Sequence, residues 1–308
     1  DDAAVLNIPS DQKLVQSVDH LKTFIDDPYL FGQLSALHAL SDAFAMNAAP
    51  HSAQALVQLP LASEAIQRRD MLQVMQGAIK VLDEHKCALV GGHTSEDTQL
   101  NVGFCINAVA QTSDLLHKKG AKKGQVLILT QPIGTGTLLA AHMRGLASGL
   151  DINAALEHML QSNQEAAQVF QKFNASACTD VTGFGLLGHL VEMLKDDMLN
   201  NDVLHNEKLG ACLHLNKLPA LPGAQSLLQA GITSSLQPQN ARLRHAIYNQ
   251  QVDTHHINYP LLFDPQTCGG LLATVNADQA DLCLKALQTS GYEQAAIIGE
   301  ITELPESG

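Results

Sequence analysis

Apolar positions follow two different periods along the first third of the chain. KLVQSVDHL alternates around Leu14, Gln16 and Val18, which predicts a strand ending at Asp19. Phe31, Leu34, Leu37, Leu40 and Phe44 recur at helical spacing, which predicts a helix ending before NAAP. Ser63 is placed to cap a longer amphipathic helix carrying Ile66, Met71, Val74, Ala78 and Leu82. CALVGG and VGFCINAVA read as strands, the second apolar on both faces. Residues 1–111 are therefore expected to form one compact domain of strands and two helices.

The pattern breaks at SDLLHKKGAKKGQ, a polar and basic stretch that reads as a linker. Beyond it, VLILTQPIGTGTLLAAHM predicts strand, glycine loop and helix, and a long helix is expected from Ala154 to Phe173. CTDVTGFGLLGHLVEML leads through a turn into an apolar helix, and LPALPGAQSLLQAG reads as a proline-punctuated turn and helix. GGLLATV, a helix through Leu282 and Leu287, and AAIIGEIT predict strand, helix, strand. The second domain is expected over 122–304.

The 308 residues are enough for two ordinary domains, each with its own core. Apolar residues make up 45% and charged residues 16%, which marks a globular chain. The longest apolar runs, such as VLILT, are far too short to span a bilayer, so no membrane partner is expected. The net charge of −13 and the lack of a basic patch argue against nucleic acid. An acidic protein that binds a nucleotide needs carboxylate-held metal ions or helix N-termini. The six cysteines form no C-x-x-C, so neither zinc nor a dense disulfide framework is expected, and reduced thiols in the cytoplasm are the default. The chain opens at DDAAVL without Met, so a further upstream segment is expected.

Gly183, Gly185 and Gly188 spell G-x-G-x-x-G. A dinucleotide fingerprint would need them to leave a buried strand, with an acid at the next strand tip. NASACTDV is a poor buried strand, and Asp196, Asp197 and Asp202 lie in a polar run, so NAD is not the expected ligand. The alternative is a turn packed close to a helix, which leaves Asp180 and Thr182 to explain. Gly134 and Gly136 sit between a convincing strand and a helix start, where backbone N–H groups could receive a phosphate, or form an ordinary turn. Asp42 lies opposite the helix's apolar stripe, near His38, and reads as either a solvated face or a ligand. Asp2, Asp42 and Asp180 could together serve Mg²⁺, which keeps waters and phosphate oxygens in its remaining positions. Asp264, Pro265 and Gln266 interrupt two apolar segments and, with Gly269 and Gly270, read as a hairpin turn. Cys268 is a candidate reactive thiol with no basic partner nearby in sequence.

The order DDAAVL, VDHLKTFIDDPYLFG, ALSDAFAM, ALVGGHTSED, TQPIGTG, TDVTGFGLLGHL and LLFDPQTCGGLL resembles selenophosphate synthetase from residue 1 to about residue 302. That family belongs to a superfamily with aminoimidazole ribonucleotide synthetase, a thiamine phosphate kinase and a hydrogenase maturation protein. The resemblance implies an α+β fold of two domains, with mixed sheets and flanking helices, and a homodimer through the N-terminal domains. It implies that residues 1–111 bind ATP and metal and dimerise, and that 122–304 form the C-terminal synthetase-like domain. It implies Mg²⁺ and the conversion of ATP, selenide and water to selenophosphate, AMP and phosphate. Residue by residue, it implies Asp2, Asp42 and Asp180 as metal ligands. For ATP it implies Asp1, Asp19, Asp42 and the loop Gly134, Thr135 and Gly136.

Three positions depart from the family pattern. The family's glycine-rich catalytic segment, with a Cys or selenocysteine and a Lys, lies upstream of DDAAV, so no catalytic residue is expected in this chain and the chain alone is expected to be catalytically incomplete. Met46-Asn47-Ala48 stands for Met-Gly-Gly, and Cys268 for Ser. DDPYLFG and GGHTSE look most like the version fused behind a flavin-dependent pyridine-nucleotide oxidoreductase. The alternatives are another ATP-dependent kinase or synthetase of the superfamily, and a non-catalytic nucleotide-binding domain.

Overall fold

The computed structural model describes residue 6 and residues 8–195, 209–248 and 254–304. The chain divides into two compact units, Asp1–Leu115 and Leu116–Gly308. Each is α+β.

The first unit runs Lys13–Lys22 (β1), Pro28–Ala45 (α1), Ala49–Pro60 (β2), Glu64–Glu84 (α2), Ala88–Asp97 (β3) and Asn101–Ala110 (β4). Its four-stranded sheet has the order β1-β4-β2-β3. Only β2 and β3 are parallel, and α2 is the crossover that a parallel pair requires. β1 continues past Asp19 because its ladder with β4 runs on until Lys22 meets Asn101. One row of β4, Val102, Phe104, Ile106 and Ala108, is fully buried. The other row is not uniformly apolar: Gly103, Cys105, Asn107 and Val109 face His20, Val18, Gln16 and Leu14 of β1. There Gln16 donates to Asn107 at 2.8 Å, and Asn107 donates to Ser52 at 3.2 Å.

Asp27 caps α1 by accepting from the Tyr29 and Leu30 N–H groups at 2.9 and 3.0 Å. Ser63 stands at the N-cap of α2 but makes no side-chain cap bond. The two helices cross with their backbones almost touching. A Cβ on Gly32 would lie 2.0 Å from the Val74 oxygen, and one on Gly77 would lie 1.9 Å from the Tyr29 oxygen. α1 is consequently buried round most of its circumference, Gln33, Ser35 and Ser41 included. The solvated face suggested by its wheel is therefore absent, and Asp42 is half-buried.

The second unit runs Gln125–Leu129 (β5), Thr135–Met143 (α3), Gly149–Met159 (α4), Gln164–Lys172 (α5), Ala177–Asp180 (β6), Gly185–Leu194 (α6), Leu209–Leu213 (β7), Ala224–Gln229 (α7), Gln237–Asn240 (α8), Leu271–Asn276 (β8), Ala280–Thr289 (α9) and Ala296–Glu303 (β9). Its five-stranded sheet, β6-β8-β5-β9-β7, is antiparallel throughout. Leu127, Leu129, Ile133, Leu138, Leu186 and Leu272 lie in one buried cluster.

The expected long helix from Ala154 to Phe173 is two helices, α4 and α5. Between them the buried Asn163 turns its Nδ2 to the Gly269 carbonyl at 2.8 Å, a bond to a segment far along the chain. The stretch judged a poor buried strand is a buried one: Ala177, Cys178, Thr179 and Asp180 are all covered. Their burial comes from pairing with β8 and from the tertiary packing around it, which strand propensity does not report. No dinucleotide fold results, because β6 and β7 lie at opposite edges of an antiparallel sheet and form no parallel βαβ unit. Asp196, Asp197 and Asp202 lie outside the described residues. Among the described residues no helix is long and apolar enough to cross a membrane.

Candidate functional site

In the first unit Asp19 shares a sheet face with the buried Phe104, its register partner on β4. Asp42 sits on α1 one turn after His38, at the spacing that brings helical side chains together. Burial drives the His38 imidazole down to about 4, against the opposing pull of the Asp42 charge. His38 is therefore neutral at neutral pH. Asp1 and Asp2 lie outside the described residues.

α1 ends in a Schellman motif at the point of departure from Met-Gly-Gly. The Ala48 N–H donates to Ala43 O at 2.9 Å, and the Asn47 N–H donates to Phe44 O at 2.7 Å. Asn47 takes the left-handed conformation, φ +53°, which asparagine tolerates better than other side chains. Its amide also donates to Asp114 O at 3.0 Å. The turn after Asp42 is thus retained without glycine.

In the second unit Asp180 closes the edge strand β6, opposite Leu271 of β8, and is buried. Burial, and after it the Asp180 charge, push the neighbouring Cys178 thiol upward, so that thiol stays protonated. The chain after Asp180 is held at each step. The Val181 N–H donates to Gly270 O at 2.9 Å. The Thr182 N–H donates to His189 Nε2 at 3.0 Å, and Thr182 O accepts from the Gln266 N–H at 2.9 Å. Gly183 O accepts from Asn240 Nδ2 at 2.9 Å. Gly185 has φ +70° and lies against the backbone of Leu262, Phe263 and Asp264, where a Cβ would come within 3.0 Å of Asp264 O. The glycine spacing is therefore that of a close turn beneath Asp180.

DPQTCGG is not a hairpin turn. A 3₁₀ turn over Pro260–Phe263 precedes it, and its side chains run into the start of α3. Gln266 Oε1 accepts from the Gly134 N–H at 2.9 Å, the Thr135 N–H at 3.1 Å and Thr135 Oγ1 at 3.1 Å. Asp264 accepts from the Gly136 N–H at 3.1 Å and from Thr137 Oγ1 at 2.7 Å. Gln266 Nε2 donates to Asp264 Oδ2 at 3.0 Å. Burial raises the Asp264 carboxyl to about 6, although every one of these hydrogen bonds favours its ionised form. The amides expected to cradle a phosphate are thus already engaged inside the protein. Cys268 has φ +50° and is buried, which does not suit a reactive thiol.

Sequence reading singled out Asp264 and Gln266 only as turn residues and passed over His189, Asn163 and Asn240. The signal for Asp264 and Gln266 was two polar side chains bounded on both sides by apolar runs. Among the described residues no three His, Cys, Asp or Glu side chains form a metal-holding group. Asp42 and Asp180 nevertheless supply hard carboxylate oxygens, the donor type that Mg²⁺ takes.

Family models for AIR synthase related protein match this chain, the N-terminal domain over residues 1–112 and the C-terminal domain over residues 122–308. A selenide, water dikinase of Pelobacter propionicus is 36% identical over 99% of this chain and 84% of its own length. One from Clostridioides difficile is 33% identical over 98% of this chain and 83% of its own length. The chain belongs to the selenide, water dikinase family. The name marks these relatives as kinases, and a kinase family implies a nucleotide substrate. The fold is shared more widely. Thiamine-monophosphate kinase from Stenotrophomonas maltophilia superposes with a TM-score of 0.71 at 20% identity, covering 99% of this chain and 87% of that one. The hydrogenase maturation protein HypE, solved in complex with ATP, superposes with a TM-score of 0.72 at 15% identity, covering 99% of this chain and 81% of that one. In this chain the TDVTGFGLLGHL and DPQT segments are tied together at Thr182.

Proposed function

We propose that the protein this chain belongs to catalyses the family reaction, in which ATP, selenide and water give selenophosphate, AMP and phosphate, with this chain supplying the nucleotide and metal side of the site. The observation that carries the reading is 36% identity to a selenide, water dikinase over 99% of the chain. Asp2, Asp42 and Asp180 are the proposed ligands of Mg²⁺, and Asp1, Asp19 and Asp42 are proposed on the nucleotide side. Bound there, Mg²⁺ would neutralise phosphate charge as the phosphoryl group moves. The protein's own part is to direct the carboxylates. The hydrogen bonds at Val181 and Thr182 fix the backbone just after Asp180. Gly134, Thr135 and Gly136 match the family's loop, but their N–H groups are engaged by Gln266 and Asp264 and do not fit a phosphate.

A homodimer through the first unit is part of the proposal. Leu14, Val18 and Leu56, on the sheet row away from the buried one, are 50%, 63% and 45% exposed. The compartment proposed is the cytoplasm, which suits six cysteines that form no disulfide.

The second reading is another ATP-dependent kinase or synthetase of the same superfamily, one that does not need selenide. Chromatography of the nucleotides formed from ATP and Mg²⁺, with and without selenide, separates the two. Selenide-dependent AMP is the expected result. ADP that forms regardless of selenide would support the second reading.

A further inference from the structure

Gln266 reaches both glycine motifs of the second unit. Its backbone N–H holds Thr182 O at 2.9 Å, two residues past Asp180. Its side-chain oxygen holds the Gly134 and Thr135 amides and the Thr135 hydroxyl, and its side-chain nitrogen returns to Asp264. The grip is closed on its far side by Thr135, whose Oγ1 accepts from the Thr267 N–H at 2.9 Å. It is also tight: a Cβ on Gly136 would lie 2.4 Å from Pro265 O. Gln266 is 3% exposed, so water does not stand in for any of these partners.

We propose that Gln266 is a positioning residue, and that Gly134-Thr135-Gly136 is the anchor of an internal clamp on the Asp180 loop. In a helix start built for phosphate, the N–H groups stand ready for the ligand. Here an amide oxygen and a carboxylate take that place, and the same residue that fills the helix start fixes Thr182. Residues that orient a metal ligand from behind change metal affinity by ~10-fold to ~100-fold when removed. This inference rests on the reading of Asp180 as a metal ligand and deepens it.

The two uses of the loop predict opposite signs. In a clamp, Gln266→Ala keeps the backbone bond to Thr182 but removes the side-chain bonds that anchor that backbone, so the Asp180 loop loosens and affinity for Mg²⁺-ATP falls by ~10-fold or more. In a phosphate cradle merely blocked by Gln266, the same change frees two amides, and ATP affinity in EDTA rises. Titration calorimetry on the full chain measures both, with Asp180→Asn alongside. Thr135→Val and Thr135→Ser make a milder pair, usable if Gln266→Ala does not fold. The valine is expected to weaken Mg²⁺-ATP binding and the serine to restore it, since only the hydroxyl differs in function. Weaker Mg²⁺-ATP binding in Gln266→Ala or Thr135→Val, with rescue by Thr135→Ser, supports the clamp. A rise in metal-free ATP affinity, or a lower melting temperature with unchanged Mg²⁺-ATP affinity, would overturn it. Loss of binding in Asp180→Asn with none in the clamp variants would overturn the clamp alone. Undiminished binding in Asp180→Asn would overturn the metal reading and the clamp's purpose with it.

Discussion

Asn47 and Asp264 show how single side chains resolve conflicts left by the sequence. Asn47 holds the left-handed residue of a Schellman cap at φ +53°, where most side chains are strained. Asn47→Ala is expected to cost about 1–2 kcal/mol in urea unfolding, and Asn47→Gly to stay within about 1 kcal/mol of the wild type. Equal losses in both would put the stabilisation in the hydrogen bond to Asp114 instead of the backbone. Asp264 carries a carboxyl raised by burial to about 6, so the native state takes up that proton before the unfolded chain does. Its contribution is full below about pH 4 and is lost as the pH rises to about 6. A shift of this size is worth on the order of 3 kcal/mol. Urea titrations should therefore show wild-type stability gaining on Asp264→Asn by up to about 3 kcal/mol between pH ~7 and pH ~4. A constant difference would mean that the hydrogen bonds from Gly136, Thr137 and Gln266 cancel the effect of burial, and a difference that shrinks toward acid would mean that they outweigh it. His38, in the other unit, works with the opposite sign: its lowered value makes acid destabilising.

Elements with a clear period were legible, and elements made by distant partners were not. α1 and α2 follow from their apolar spacing, but their close crossing depends on Gly32 and Gly77, which carry no hydrophobic signal. Gly77→Ala would drive a methyl into the Tyr29 carbonyl, and a loss of about 3 kcal/mol or more is expected by thermal unfolding. A loss below ~1 kcal/mol would show that the helices separate freely. The break at Asn163, the burial of β6 and the DPQT clamp were missed for one reason. Their partners, Gly269, β8 and the start of α3, lie roughly a hundred residues away or more, beyond any local window. The same distance explains the glycine loop. A strand–glycine–helix pattern announces free amides, and only the fold shows that Gln266, 132 positions from Gly134, fills them.

At the scale of the whole molecule, the two-unit organisation was legible from the basic linker and the family from its motifs, while the two opening aspartates lie outside the described residues. The exposed row of the first unit's sheet places Val18 beside Cys105 of β4. Light scattering at tens of micromolar is expected to give a dimer mass for the wild type and a monomer mass for Val18→Lys, since a buried unpaired charge opposes association. A wild-type monomer would remove the dimer from the proposal. Phosphorus NMR of the full-length protein with ATP, Mg²⁺ and selenide reads the assigned reaction itself. The result expected is a selenophosphate resonance that grows in step with AMP and phosphate and vanishes without selenide or in Asp180→Asn. ATP consumed at the same rate without selenide, or ADP in place of AMP, would contradict it.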